Sequence, residues 1–239
     1  MPDFLQRIVL VLAIAALSAC MHAAPARSSP EQALLQRAID AAGGEAALSR
    51  ARVLSWTGEA SVFAGDKRIE LGVESRVEPF VGARSDTWLL ARGRATLRTL
   101  QVDGGQGVMI RDGATTPMPQ AMLHHEQAQY AIYGLMRLLP LRDAGVRLHL
   151  LPADKDGLRG MHVEHPRAPP VDMFFDVHER LAYLTDQVPG PDGNGDVAQR
   201  FEFEGTIEAG GVRWPRTLRI SQNGKSYFEL RLRTFRVEP

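Results

Sequence analysis

The sequence predicts a mainly β chain of the α+β class: a strongly curved antiparallel sheet, or incomplete β-barrel, of about ten strands, with an N-terminal helix and a helical plug or lid. Three observations predict it. Over most of the 239 residues, apolar side chains recur with a period of two, the pattern of strands with one wet face and one face on a core. Glycine pairs and Asn-Gly fall at hairpin positions between those runs. One long apolar stretch poor in β-branched residues interrupts them. A sheet that wide twists and curls, so its apolar face lines a concavity for the interrupting stretch to fill or cover.

Composition and the N-terminus bound the rest. Lys plus Arg (28) equals Asp plus Glu (28), a balance that argues against a nucleic-acid partner. Arg7 precedes the apolar run "IVLVLAIAAL" (8–17). That length suits a signal-peptide core and is short of the ~20 residues of a membrane span. Residues 1–19 are therefore expected to be a lipoprotein signal peptide. Leu17-Ser18-Ala19-Cys20 has the form of a bacterial lipobox, which makes Cys20 the acylated first residue of the mature chain and a membrane anchor. The alternative is an ordinary export signal cut near Ala24, with Cys20 discarded. Two or more acyl chains, at about 0.8 kcal/mol per buried methylene, hold stably where one does not. Cys20 is the sole cysteine, so no intrachain disulfide is available and stability must come from the core. Met21 follows it rather than aspartate. By resemblance to the sorting rule of Gram-negative lipoproteins, this implies the periplasmic face of the outer membrane. Residues 20–29 read as a lipidated tether and 30–239 as a single domain.

The elements follow in order. Ser29 is a good N-cap, Pro30 suits the first helical position, and Leu34, Leu35, Ala38 and Ile39 share one face. Gly43-Gly44 ends this helix, and "EAALSRA" adds a short second one. From Arg52 the period is two: Leu54, Trp56, Ala60 and Val62, then Ile69, Leu71, Val73 and Val77, with Gly65-Asp66 as the turn between. "ARSDTWLLAR", "ATLRTLQVDG" and "GVMIRDG" continue as shorter strands. A helix is expected from Gln120 to Leu139, polar on one side at first and apolar nearly all round from Tyr130, ended by Pro140. Strands resume with "GVRLHLLP", "LRGMHVEH", "PVDMFFDV", "RLAYLTDQV", "AQRFEFEGTIEA", "VRWPRTLRI" and "SYFELRLRTFRVE". Gly210-Gly211 and Asn223-Gly224 mark hairpins. The last strand's apolar phase slips between Leu232 and Phe235, which places a bulge near Arg233-Thr234. "PGPDGNGD" (189–196) is the expected mobile loop.

The stretches "AIDAAGGEAALSRARVLSWTGEA", "VDGGQGVMIRDGATTPMP", "FFDVHERLAYL" and "GGVRWPRTLRI" resemble the LolA/LolB-like superfamily of periplasmic lipoprotein and lipid carriers. The likeness spans roughly residues 31–238. It implies a half-barrel that shelters the acyl chains of a passenger lipid or lipoprotein, with no catalytic residue to carry over.

Chemistry is sparse. His162, Glu164 and His165 do not all converge from one strand, and His124 and His125 diverge on a helix. "DGNGD" lacks the glycine and glutamate of a calcium loop at Val197 and Phe203. No nucleophile elbow, phosphate loop or dinucleotide fingerprint occurs. Arg92, Arg94 and Arg98 read as solvated edge charges. No cofactor, metal or enzymatic activity is expected. The residues expected to line a lipid cavity are Trp56, Trp88, Tyr133, Leu135, Met136, Leu139, Phe201 and Phe203. Two readings stay open, a carrier with a removable plug and an assembly lipoprotein with a filled core and a protein partner; a third, a hydrolase, requires a convergent nucleophile and base that the sequence does not support. The volume of the concavity discriminates between the first two.

Overall fold

A computed structural model describes residues 28–190 and 192–239. The expected signal peptide, the expected lipobox with Cys20 and most of the expected tether lie outside the described residues. Helix α1 (Pro30–Ala41) opens on a reciprocal cap: Gln32 N donates to the Ser29 hydroxyl, and the Gln32 side-chain oxygen accepts from Ser29 N. Gly43 and Gly44 both take positive φ and turn the chain into α2 (Glu45–Arg50).

Thirteen strands form one antiparallel sheet in the order β6-β5-β4-β3-β2-β1-β15-β14-β11-β10-β9-β8-β7. It is curved and not closed into a barrel. Its first half is a meander: β1 (Val53–Ala64), β2 (Lys67–Glu78), β3 (Gly82–Leu89), β4 (Arg98–Asp103), β5 (Gln106–Arg111) and β6 (Ala114–Pro117). Helix α3 (Gln120–Met136) then crosses to the far edge. A second meander returns through β7 (Arg147–Leu151), β8 (Arg159–Glu164), β9 (Val171–Phe175), β10 (Leu181–Pro189) and β11 (Asp196–Glu204). The hairpin β12 (Ile207–Ala209) and β13 (Val212–Trp214) is a separate two-stranded sheet. β14 (Thr217–Gln222) and β15 (Lys225–Glu238) complete the main sheet, with β15 pairing along β1.

The twelve strand stretches named from the sequence become fifteen strands for three local reasons. β6 is four exposed residues with no alternation to betray it. Gly205, at φ 65°, breaks the expected "AQRFEFEGTIEA" run into β11 and β12, and Pro215 breaks "VRWPRTLRI" into β13 and β14. "ARSDTWLLAR" likewise stops at Leu89, where a 3-10 turn takes over. The expected bulge is present: Thr57 faces Thr234 and Gly58 faces Leu232, which leaves Arg233 unpaired.

Inward-facing residues Leu54, Trp56, Val73, Val77, Met173, Leu184, Phe201, Ile220 and Leu230 join Leu34, Leu35, Ile39 and Leu48 of the first two helices in one core. The whole second half of α3, Ala131 to Met136, is buried there. A small satellite core of Val102, Met118 and Leu123 packs its first half against β4. The convex face carries charge pairs instead, among them Arg76–Glu238, Arg84–Asp86 and Arg219–Glu229.

Candidate functional site

Among the described residues, the predicted lining residues other than Trp88 converge on the concave face, and α3 occupies it. Trp56 meets Tyr133 edge to face at 5.2 Å, and Tyr130 lies 6.4 Å from Tyr133. Leu135 is fully buried, and Met136 and Phe201 nearly so. Leu139 packs half-buried on the same core, beyond the helix. The helix ends three residues earlier than expected. Leu138 takes φ 64°, and the chain continues as a 3-10 turn through Pro140. Trp88 is the correction among the predicted lining residues. It stands five positions from inward-facing Ala83 on an unbroken strand, so it points the other way. On the convex face its ring packs over Gly72 and under the Arg94 guanidinium, 4.4 Å from the ring centre, while Arg94 pairs with Glu74.

Among the described residues, two clefts remain beside α3, one of about 160 Å³ between Met136, Leu181, Phe203 and Trp214 and one of about 280 Å³ between Phe80, Val102, Tyr130 and Ala131. Drug-sized ligands occupy about 300–1,000 Å³, so in this state the concavity is filled. What fills it is mostly apolar, with the Tyr130 and Tyr133 hydroxyls and Glu126 as its polar groups. Among the described residues, no side chain from Ala131 to Met136 hydrogen-bonds to the sheet, whereas the first half is tied at two points. His125 Nδ1 lies 2.8 Å from the Pro189 carbonyl, and Gln127 Nε2 donates to the Gly104 carbonyl at 2.7 Å. The helix starts at Pro119 with no side-chain cap, so its first amides lack that common satisfaction.

Three solved structures share this architecture. They are a LolA superfamily protein from Nitrosomonas europaea (TM-score 0.57, 10% identity, 87% of this chain and 94% of that one); a candidate outer membrane lipoprotein-sorting protein domain from Vibrio parahaemolyticus (0.53, 10%, 86% and 91%); and a DUF1329 family protein from Desulfovibrio piger (0.57, 9%, 88% and 94%). The fold is LolA-like. No family model and no curated protein matches the sequence.

Within this LolA-like half-barrel, the sequence reading missed a polar row. Asp186 on β10 faces Gln199 on β11, which faces Gln222 on β14. Asp186 and Gln199 are 6% and 2% exposed. Both Asp186 carboxyl oxygens, both Gln199 amide atoms and Gln222 Nε2 are buried without a hydrogen-bond partner in the protein. Burial pushes Asp186 up to about 7. Across the concavity, burial also raises Glu126 of α3 to about 7, against the pull of the Tyr130 hydroxyl. The signal was present in "LTDQV", where an aspartate takes the inward phase between Leu184 and Val188.

The histidines do no joint work. His162 Nδ1 pairs with Asp172 at 2.6 Å on the sheet, and His165 is buried in a stack on Phe80, 4.8 Å between ring centres. No three His, Cys, Asp or Glu side chains converge on a metal position among the described residues. In the 189–196 loop, Asp192 turns back to its own neighbour Asn194, and Gly190 N donates to the Gly195 carbonyl.

Proposed function

We propose that this chain is a non-catalytic carrier of the bacterial envelope. It holds the acyl chains of a lipid or lipoprotein on the concave face of its sheet once α3 swings away. The observation that carries the reading is the chemistry of the plug. Its buried half, Ala131 to Met136, carries a single hydroxyl, on Tyr133, and among the described residues makes no side-chain hydrogen bond to the sheet, so a hydrocarbon chain can replace it at nearly equal hydrophobic gain. The first half is uncapped and, among the described residues, its two polar ties are the side-chain hydrogen bonds that must break for that end to lift, with the Arg137–Leu138 bend as hinge. The LolA-like fold supports the reading, as does the lipoprotein-sorting assignment given to the Vibrio neighbour. Acylation at Cys20 would hold the carrier on the periplasmic face of the outer membrane in a Gram-negative host.

A second reading rests on the filled concavity: an envelope assembly lipoprotein whose helix never leaves and whose outer surface meets a protein partner. One experiment separates the two. Gly193 faces Ala121 closely enough that a Cβ on it would sit 3.5 Å from the Ala121 Cβ, within disulfide range. In a Cys20→Ser background, Ala121→Cys with Gly193→Cys ties α3 to the β10–β11 loop. Lipid-stripped protein binds a pyrene-bearing long-chain alcohol when reduced and loses that binding when oxidised. Absence of binding in both states supports the assembly reading, and equal binding in both removes α3 from the mechanism.

A further inference from the structure

We propose that Asp186, Gln199 and Gln222 form a head-group subsite on the concave face, one that takes the ammonium group of an amphiphile whose apolar chain runs along Leu184 and Phe201. The proposal rests on the carrier reading and adds the chemical class of the passenger.

Three strands place these side chains in one line. The register sets Asp186 opposite Gln199 and Gln199 opposite Gln222. They share the inward face with the next cross-strand row, Leu184, Phe201 and Ile220, which is core. Directly opposed side chains stand about 5 Å apart at Cβ, so Asp186 and Gln222 flank Gln199 at about 10 Å from each other, and a small group held over Gln199 lies between them.

Their atoms specify what that group is. Buried polar atoms in folded proteins are met by a partner in nearly all cases, yet five here are not: two on Asp186, two on Gln199 and one on Gln222. Asp186 makes no ion pair among the described residues, so its carboxylate and the Gln199 carbonyl oxygen are acceptors awaiting a donor. An ammonium group offers three N–H donors and the missing positive charge. The Gln222 and Gln199 amide nitrogens are left for an oxygen near the head. A carboxylate or phosphate as the head itself would meet Asp186 with like charge at low dielectric. The raised pKa of Asp186 is the expected mark of an acid held without its counter-charge.

The surroundings supply a path for the chain. Phe203, which borders the 160 Å³ cleft, lies four residues from Gln199 on the same face of β11, about 13 Å away. Leu184 and Phe201 lie along that track and are almost completely buried. Helix α3 closes over this end of β10, with His125 bonded to the Pro189 carbonyl. Lifting the first half of α3 would uncover the polar row together with its apolar track.

The test is displacement of the pyrene-bearing alcohol from lipid-stripped protein at pH 8 by dodecylamine, dodecanol or dodecanoate. In the native chain, dodecylamine should displace it at a concentration at least about tenfold below dodecanol, the scale of one buried charge-assisted bond, and dodecanoate should be the weakest. Asp186→Asn, which keeps the side-chain shape, should bring dodecylamine to within about twofold of dodecanol. Equal potency of amine and alcohol on the native chain overturns the subsite and leaves the carrier reading standing. So does an Asp186→Asn variant that strengthens all three ligands alike, because Asp186 would then act on the plug rather than on the head. If the pyrene probe fails to bind the native chain at all, the carrier reading fails first and the subsite with it.

Discussion

Asp186 sits in a row that runs Leu184, Asp186, Val188 along one face of β10, with its neighbours fully buried and no donor to meet it. Its folded-state pKa, about 7, is raised from an ordinary 3.8. The folded form therefore keeps a proton that the unfolded chain releases above pH ~4. Stability is unaffected by this group below the unfolded value, falls as pH rises between about 4 and 7, and is level above. Glu126 acts in the same direction. His125 and His165, held below their ordinary value by burial, act oppositely as pH rises toward neutrality. The comparison must therefore be variant against native chain. Asp186→Asn should gain about 2–3 kcal/mol more stability at pH 8 than at pH 5, read from urea unfolding at both pH values. An equal gain at both would mean that the native carboxylate is already ionised and solvated. The inward phase of Asp186 is legible in "LTDQV" by alternation, though the row it belongs to is not among the sequence-based expectations. That its partners across the sheet are two amides was not legible, because register between strands twelve or more residues apart is set by turns and bulges rather than by phase.

At the scale of elements, α3 was legible and its end was not. Its extent to Met136 follows from a run without β-branched clusters and from Pro119 before it. Pro140 is the stop the sequence predicts, but the helix gives way sooner because Leu138 adopts a left-handed backbone that keeps its side chain 2% exposed in the core. Gly134 is the matching feature on the helix itself. It lets the Phe80 ring lie against the helix backbone, where any Cβ would collide with that ring. Phe80 is in turn stacked on His165 and covered by Arg167 at 4.6 Å. Gly134→Ala therefore sets helix propensity, worth about 1 kcal/mol in its favour, against overpacking of about 1–3 kcal/mol. Overpacking should win, because Phe80 is wedged on its far side. The variant should melt lower than the native chain and, if α3 is the plug, bind the acyl probe more tightly, since the closed state alone is weakened. A lower melting point with unchanged affinity would make α3 a structural element only.

At the scale of the molecule, an open sheet must protect two edges, and neither was identifiable from alternation. β6 is four exposed residues ending in Pro117, which cannot extend the ladder, and β7 sets exposed Arg147 and His149 along the other edge. The concave interior, by contrast, was legible as a whole, because the inward phase of nearly every strand is apolar. That interior also governs the last prediction. The core begins at Leu34 and uses no thiol, so the proposed anchor and the proposed binding domain are separable. Cys20→Ser should abolish incorporation of labelled palmitate and move the protein from the membrane to the soluble fraction. The unfolding midpoint of the folded domain should not change, because Cys20 is the sole cysteine and its loss breaks no intrachain disulfide. A Cys20→Ser protein that stays in the membrane fraction would overturn lipidation as the anchor. One that is released with its acyl binding intact would establish that the half-barrel carries its ligand independently of its tether.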